Sequence, residues 1–252
     1  MRTETTGHLL RLVMDRPQKR NALDLDTLGA LRAACSPPPG VRVIRLEAEG
    51  PAWCAGADLA SLAAHPGGSA GAMLLFADAL ADLVACPVPM VAVVDGAVLG
   101  GGVGLLCCAD IVVAGPTASL SLPEARVGLW PMMVGALLGR VTTPRVAMDL
   151  ALTGRKVAGE EALRLGLFSR LLPSAAETDQ AAREVCDAIA ARSPAAIRAG
   201  REAWRRSAGL EVPDLRGRLR ALASDLATTS AHPDAAEGIA AFFEKREPRW
   251  AD

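Results

Sequence analysis

The stretch MVAVVDGAVLGGGVG, residues 90–104, joins an apolar run to a loop rich in glycine. Met90–Val94 predicts a buried parallel strand, because a strand covered on both faces shows no alternation of polar and apolar residues. A helix is expected to begin after the glycine-rich residues 96–104. Glycine allows a backbone to approach a ligand closely, and the first peptide N–H groups of a helix have no intrahelical partner. Such a loop can bind a phosphate or a developing oxyanion.

The glycines of this loop allow three interpretations. A dinucleotide-binding turn of the form GxGxxG needs a third glycine, but Cys107 stands at that position after Gly102 and Gly104. A P-loop needs a Gly-Lys-Ser/Thr sequence, and no lysine lies nearby. Glycines can also serve only to let two segments pack tightly. The loop by itself leaves oxyanion binding and tight packing open.

A second loop of the same kind precedes it in the chain. Residues 53–59, WCAGADL, follow a predicted strand and precede a helix. Two strand-end loops rich in glycine and alanine can each direct one peptide N–H at the same carbonyl oxygen. Two such groups would form an oxyanion hole, which stabilises the negative charge that develops on that oxygen.

The rest of the chain predicts strands that alternate with helices, followed by helices only. Strands are predicted at residues 8–14, 41–46, 110–114 and 118–122, and helices at residues 24–34, 73–85, 144–153, 158–165, 178–191, 194–206, 214–224 and 233–244. Residues 60–72, which contain Pro66, Gly67 and Gly68, predict a mobile loop. The alternation indicates an α/β core in residues 1–190, and the remainder, residues 191–252, indicates a helical packing module.

Composition excludes several classes of protein. The 252 residues carry a net charge of −1, which does not favour a surface for nucleic acid or anionic membrane. Six scattered cysteines without a CxxC pair, and only three histidines, favour buried free thiols over a zinc site or a disulfide framework. No apolar run of about 18 residues lacks Gly, Pro or charge, and the N-terminus has no long apolar segment. We therefore expect a cytoplasmic protein without a membrane span.

Several sequence blocks resemble the crotonase superfamily, the enoyl-CoA hydratase/isomerase family, and occur in that family's order across residues 8–249. The blocks are PQKRNAL (17–23), CAGADL (54–59), DGAVLGGGVG (95–104), CADI (108–111), LPE (122–124), GLWP (128–131) and EGIAAFFEKR (237–246). One block alone is weak evidence, whereas the ordered set is specific. The resemblance implies an α/β fold in which a spiral of ββα units carries a C-terminal helical trimerisation module. Such proteins are usually homotrimers or dimers of trimers.

The resemblance also implies an acyl-CoA substrate and a set of catalytic groups. The thioester oxygen would be held by the N–H groups of Ala57 and Gly101, and Glu124 would be the acid/base carboxylate beside the α-carbon. Gly104 departs from the family pattern, because hydratases of this type carry a second glutamate there. No redox cofactor or metal is expected. Since an apolar strand and Trp130 flank Glu124, we expect burial to raise its pKa toward neutrality.

The residues implied to contact the substrate and its CoA are spread over the same blocks. They are Lys19, Arg20, Ala55, Ala57, Asp58, Leu59, Gly101, Trp130, Phe242 and Lys245. The cations Lys19, Arg20 and Lys245 are candidates for the CoA phosphates, and Phe242 and Lys245 are expected to reach the ligand of a neighbouring subunit. Trp130, with the methionines that follow it, predicts a drier acyl pocket, although ordinary core packing explains these residues equally well.

A single carboxylate favours Δ3,Δ2-enoyl-CoA isomerisation, because one base can remove a proton from one carbon and return it two carbons away. An enoyl-CoA hydratase that works with one glutamate, or with an unseen second acid, is the first alternative. A noncatalytic acyl-CoA-binding protein is a second, from another class. A serine hydrolase on a related spiral fold would need a Ser–His pair, but His8, His65 and His232 fall in a strand, a loop and a tail. No serine lies in a nucleophile-elbow motif.

Overall fold

The computed structural model describes residues 1–58, 60–61, 64–208 and 212–250, so that Leu59 lies outside the described residues. The strands are β1 (Arg2–Thr6), β2 (Leu9–Met14), β3 (Val43–Ala48), β4 (Ala52–Cys54), β5 (Met90–Val94), β6 (Ala97–Leu99), β7 (Ile111–Ala114), β8 (Ser119–Ser121), β9 (Val157–Ala158) and β10 (Arg170–Leu171). The α-helices are α1 (Leu25–Ala34), α2 (Gly68–Ala85), α3 (Gly101–Leu106), α4 (Met132–Val141), α5 (Pro144–Thr153), α6 (Gly159–Arg164), α7 (Ala175–Ala190), α8 (Pro194–Ser207), α9 (Val212–Ser230) and α10 (Pro233–Glu244). Short 3₁₀ turns lie at Pro17–Lys19 and Glu124–Val127.

From β3 to β8, successive strands alternate between two sheets. One sheet has the order β1-β2-β3-β5-β7-β10 and the other has the order β4-β6-β8-β9. Apart from the antiparallel pairs β1–β2 and β8–β9, the pairings are parallel. The chain thus passes through β3, β4 and α2, then through β5, β6 and α3, and then enters β7 and β8. This repetition is the predicted spiral of ββα units, and the α/β fold class is confirmed.

Apolar strands make the scaffold rigid. In the parallel pair β2–β3, Leu10 lies opposite Ile44 and Leu12 lies opposite Leu46, and all four side chains are buried. Each such side chain stabilises the fold by about 1.5–3 kcal/mol when it leaves water. The other face of the sheet is covered by α7, through contacts among Val43, Val91, Val113, Ala181, Ala182 and Val185. Loops at the ends of these strands are therefore held on a fixed support.

Helix α2 packs against both α1 and α9. Its apolar side includes buried Leu80 and Leu83. On its other side, Asp78 pairs with Arg220 of α9 at 2.7 Å, and Asp82 pairs with Arg32 of α1 at 2.7 Å. By length and composition alone this helix could cross a membrane. That criterion is weak evidence, because buried core helices meet it as well.

Several elements differ from the sequence prediction. The hairpin strand β1 was not predicted, because all five of its residues are exposed and polar. Strands β4 and β6 have three residues each, too few for a periodic pattern, and helix α4 was also missed. The prediction of a mobile loop at residues 60–72 is wrong from Gly68 onward, where α2 begins, and residues 62 and 63 of that range lie outside the described residues. Helix α3 begins at Gly101, inside the glycine-rich stretch rather than after it.

Other local predictions are confirmed. Asp24 caps α1 by accepting a hydrogen bond from the Thr27 N–H at 2.8 Å. Thr143 caps α5, and Gly154 ends it in the left-handed region. All six cysteines are free, and all but the half-buried Cys35 are buried, as expected of structural thiols.

The C-terminal helices pack partly on their own chain. Helix α10 lies on the 3₁₀ turn that follows Glu124, where a Cβ on Gly238 would lie 2.4 Å from the Val127 carbonyl carbon. Helix α9 supplies Leu215 and Leu219 to the main core. Helix α8, in contrast, has no buried residue, and its Trp204 is 75% exposed. The division into a core at 1–190 and an oligomerisation module at 191–252 stays a prediction.

Candidate active site

Backbone hydrogen bonds hold the loop at residues 55–58 but do not engage the amide of Ala57. Three bonds join it to residues 20–23, from Ala55 N to Arg20 O at 2.9 Å, from Leu23 N to Gly56 O at 2.7 Å, and from Asp58 N to Leu23 O at 3.0 Å. The N–H of Ala57, between them, donates to no acceptor in the described part of the chain. The pairing on both sides therefore fixes the direction of a peptide group that has no partner of its own.

The free amide of Ala57 lies beside the start of α3. Gly56 has φ +88°, and a Cβ on it would lie 2.9 Å from the Leu99 carbonyl oxygen and 3.3 Å from the Gly101 nitrogen. A Cβ on Gly101 would in turn lie 3.7 Å from the Ala57 nitrogen. Gly101 is the first residue of α3, and within the described chain its N–H donates to no acceptor either. The structure thus brings two unpaired amides together where only glycine allows the approach.

Glu124 lies against the same loop. Gly100, at φ +50°, donates its N–H to the Ser121 carbonyl oxygen at 3.1 Å, which ties the loop to the end of β8. A Cβ on Gly100 would lie 3.0 Å from Glu124 Oε1. The carboxylate therefore contacts the residue that precedes Gly101, and the three predicted catalytic residues lie in one place.

The surroundings of Glu124 disfavour its charged form. Its Oε2 atom is buried and has no hydrogen-bond partner among the described residues. Burial raises the pKa of Glu124 from 4.5 to about 7, and a hydrogen bond from its own backbone opposes that rise only in part. Near neutral pH the group can both accept and donate a proton, as a general acid/base requires.

Gly104 is enclosed by apolar side chains. A Cβ on it would lie 3.1 Å from Val134 Cγ2, 3.6 Å from Phe76 Cζ and 3.7 Å from Leu80 Cδ2. The same Phe76 atom lies 3.3 Å from the Cβ position of Gly101. Phe76 on α2 thus lies against both glycine positions, and Val134 on α4 occupies the space that a side chain at residue 104 would enter.

Two exposed cations flank the loop at residues 55–58. Lys19 ends the first 3₁₀ turn, and Arg20 follows it in the left-handed region. Neither side chain forms an ion pair with the part of the chain that the structure describes. Because the Arg20 carbonyl accepts from Ala55, these cations lie next to the segment that carries the free amide.

The remaining predicted residues lie in different settings. The Asp58 carboxylate pairs with Arg16 at 3.1 Å, so its side chain has a structural partner. Trp130 is half-buried against the main core, three residues beyond the end of the 3₁₀ turn of Glu124. Phe242 is 60% exposed, and Lys245 ends α10 in the left-handed region. No hydrogen bond or ion pair among the described residues joins Phe242 or Lys245 to the site.

The sequence analysis did not identify three residues that shape this site. Arg16 and buried Asn21 hold the loop of residues 16–23, although both lie within or beside a motif that had been identified. Phe76 lies within the helix that the sequence predicts at residues 73–85. Its position over α3 depends on how α2 packs, for which a single sequence carries no signal.

The spiral fold, the paired free amides and the buried glutamate together define a site of the crotonase type. The family model for enoyl-CoA hydratase/isomerase matches residues 4–252, so the chain belongs to the enoyl-CoA hydratase/isomerase family.

Individual relatives extend over nearly the whole chain. Carnitinyl-CoA dehydratase of Proteus mirabilis is 33% identical over 260 residues, which cover 98% of this chain and 96% of that protein. The structure of an enoyl-CoA hydratase from Mycobacterium avium has a TM-score of 0.84 and 32% identity, covering 97% of this chain and 94% of its own. An enoyl-CoA hydratase/isomerase from Pseudoalteromonas atlantica has a TM-score of 0.87 and 26% identity, with 99% of both chains covered.

Proposed function

We propose that this protein is a Δ3,Δ2-enoyl-CoA isomerase in which Glu124 is the only catalytic carboxylate. The observation that carries the proposal is a buried glutamate without a hydrogen-bond partner on Oε2, beside two free amides, while apolar groups fill the position of a second acid. The thioester oxygen of an acyl-CoA would accept hydrogen bonds from the N–H groups of Ala57 and Gly101. These would stabilise the enolate that forms when a proton leaves the α-carbon.

The reaction then needs one proton carrier. Glu124, as a carboxylate, removes a proton from C2 of a 3-enoyl-CoA, and the electron pair delocalises over the thioester and the double bond as a dienolate. Protonated Glu124 returns the same proton to C4, which leaves a double bond between C2 and C3. Glu124 ends the cycle as a carboxylate, and no water is consumed. A pKa of about 7 suits a group that must accept and then release a proton near neutral pH.

Water addition is less well supported by this site. It benefits from one group that activates water and another that serves the α-carbon, and Gly104 supplies neither. The apolar contacts of Phe76 and Val134 around Gly104 also disfavour an ordered water molecule there, since such a water needs polar partners.

Hydration or dehydration of an enoyl-CoA is the second candidate. It is favoured by the names of relatives, because a protein 33% identical to this chain is called carnitinyl-CoA dehydratase. In that case Glu124 would have to serve both the water and the α-carbon, or a second acid would have to come from outside the described residues.

The substrate contacts follow from the same proposal. Lys19 and Arg20, exposed beside Ala55, would bind the CoA phosphates, and Trp130 would border the acyl chain. Phe242 and Lys245 would reach the CoA of a neighbouring copy in a homotrimer or a dimer of trimers. The enolate chemistry needs only the thioester, two N–H donors and one base, so we expect no redox cofactor or metal.

Parallel assays of 3-enoyl-CoA and 2-enoyl-CoA test the proposal. We expect isomerisation of the first to be much faster than hydration of the second. Glu124→Gln should lower isomerase kcat by about 10²–10⁴-fold, because one general base is lost. CoA affinity, measured by calorimetry, should change little, since the proposed role of the side chain is at the acyl α-carbon and not at the CoA moiety. Efficient hydration without isomerisation, or a fully active Glu124→Gln variant, would overturn the proposal.

A further inference from the structure

Arg16 joins the two segments that the proposed function uses for CoA binding and for carbonyl polarisation. Its guanidinium pairs with Asp24 Oδ2 at 2.9 Å and with Asp58 Oδ2 at 3.1 Å. It also donates to the Ala22 carbonyl oxygen at 2.8 Å. The Arg16 side chain is 25% exposed and the two carboxylates are 15% and 14% exposed, so this three-membered ion network is largely shielded from water.

Each carboxylate has a second role through its other oxygen. Asp24 Oδ1 accepts the N–H of Thr27 and caps α1, and Asp58 Oδ1 accepts the N–H of Ser61 at 3.2 Å. One guanidinium therefore connects the start of α1 to the residue that follows Ala57. An arginine suits this position because its planar fork can bind two partners at fixed angles.

The Arg16 backbone is held as well. Its N–H donates to Asn21 Oδ1 at 2.8 Å, and the amide nitrogen of Asn21 donates to the carbonyls of Glu49 and Ala52, each at 2.8 Å. Asn21 is 2% exposed and adopts φ +53°, a conformation that asparagine tolerates better than most residues. This anchor fixes residues 16–21 to the segment that leads into β4.

Hydrogen bonds made by the neighbouring residues set the direction of the free Ala57 N–H. Ala55 and Asp58 donate to residues 20 and 23, and the Gly56 carbonyl accepts from Leu23. The direction of the Ala57 N–H thus depends on the position of residues 20–23, which Arg16 and Asn21 hold. The exposed cations Lys19 and Arg20 lie on that same segment.

We propose that Arg16 is a positioning residue that aligns the Ala57 N–H with the thioester oxygen and couples this alignment to the cationic turn at Lys19 and Arg20. The inference rests on the proposed function of that N–H. Arg16 itself does not bind the phosphates, because its guanidinium is already engaged by Asp24, Asp58 and Ala22.

The test compares Arg16→Gln with the wild type on two substrates, an acyl-CoA and the corresponding acyl-pantetheine, which lacks the nucleotide and its phosphates. A misaligned oxyanion donor should lower kcat by about 10- to 100-fold on both substrates, with a smaller change in KM. The infrared carbonyl stretch of a bound saturated acyl thioester should also shift less to low frequency than in the wild type. Arg16→Lys should recover only part of either effect.

Arg32→Gln is the matched control, because Arg32 forms a similar ion pair with Asp82 at 2.7 Å at the other end of α1. It should lower thermal stability and leave kcat and the carbonyl shift unchanged. Unchanged kcat in Arg16→Gln, a loss confined to the CoA substrate, or an equal kcat loss in Arg32→Gln would overturn the inference. A wild type without a carbonyl shift would instead overturn the oxyanion role in the proposed function.

Discussion

Burial changes the pKa of the Glu124 carboxyl group. A carboxylate in water ionises near pH 4.5, but this one loses most of its hydration and gains little in return, so that its pKa rises to about 7. An oxygen without a partner is costly in a protein interior, and such strain is often found where substrate supplies the missing contact. The same burial has opposite consequences for activity and for stability.

The activity should depend on pH through this group. With the Glu124 carboxylate as the proposed base, kcat/KM for the 3-enoyl-CoA should be constant above about pH 7 and fall about tenfold per unit below it. The free energy of unfolding should respond in the other direction. The folded pKa lies above the unfolded value, so the stabilising contribution of the protonated group is present below pH 4.5 and lost as pH rises through 7.

Glu124→Gln separates the two effects, because glutamine stays neutral at every pH. Between pH 4.5 and 8 the wild type should lose about 3 kcal/mol relative to the variant, measured by urea unfolding. The inactive variant should therefore be the more stable protein at pH 8. If the two stability curves run parallel over this range, Glu124 has an ordinary pKa and the electrostatic account of the site fails.

Three helices meet at Gly104, and their packing decides what can stand there. Gly104 lies on α3, Val134 on α4, and Phe76 with Leu80 on α2. A glutamate at this position would have to displace a γ-methyl of Val134 that lies 3.1 Å from the new Cβ. Apolar groups therefore already occupy the space that a glutamate side chain at residue 104 would need.

Restoring the acid should require room for it. Gly104→Glu alone is expected to lower stability by about 1–3 kcal/mol through overpacking and to show little hydratase activity. Gly104→Glu with Val134→Ala should recover part of that stability and hydrate 2-enoyl-CoA measurably faster than either the wild type or the single variant. Val134→Ala alone is the control and should not hydrate. Equal hydratase rates in the single and the double variant would show that packing at Val134 does not limit the reaction.

Local sequence signals predicted the elements that have strong periodicity or clear ends. Asp24, Thr143 with Pro144, and Gly154 mark helix ends by chemistry that acts within four residues. Strands of three residues and the exposed β1 carry no such signal, and they exist because neighbouring strands offer hydrogen bonds. The proposed catalytic groups come from family motifs, whereas the proposed role of Arg16 depends on a partner 42 residues away.

At the scale of the whole molecule, the spiral explains why distant motifs share one site. Each turn ends a strand in one sheet and begins the next in the other, so the loops after β4, β6 and β8 lie side by side. These loops carry Ala57, Gly101 and Glu124. The sheet pairings that align them join Ala52 to Ala97, 45 residues apart, and Ala97 to Ser119, 22 residues apart, and periodicity within a short window cannot reveal such pairings.

Truncation of the C-terminal helices would be a poor test of whether these helices hold an oligomer together. Helix α9 pairs through Arg220 with Asp78 and buries Leu219 in the core, so its removal should unfold the chain itself. Point substitutions on exposed apolar side chains are the better probe. Trp204 on α8 is 75% exposed, and Met148 and Leu152 on α5 are 51% and 61% exposed.

We expect the wild type to form a homotrimer or a dimer of trimers at micromolar concentration, in which an interface between copies would remove exposed apolar side chains such as Trp204 from water. If residues 191–252 hold the trimer together, Trp204→Glu should yield monomers in light scattering with an unchanged circular dichroism spectrum. Leu152→Glu, on the core helix α5, should reduce a hexamer to trimers and leave trimers intact.

Phe242 and Lys245 are proposed to contact the CoA of a neighbouring subunit. The ratio of the KM for acyl-CoA to the KM for acyl-pantetheine should therefore be higher in Trp204→Glu monomers than in the wild type. A wild type that is monomeric under these conditions would contradict both the assembly and the shared CoA site.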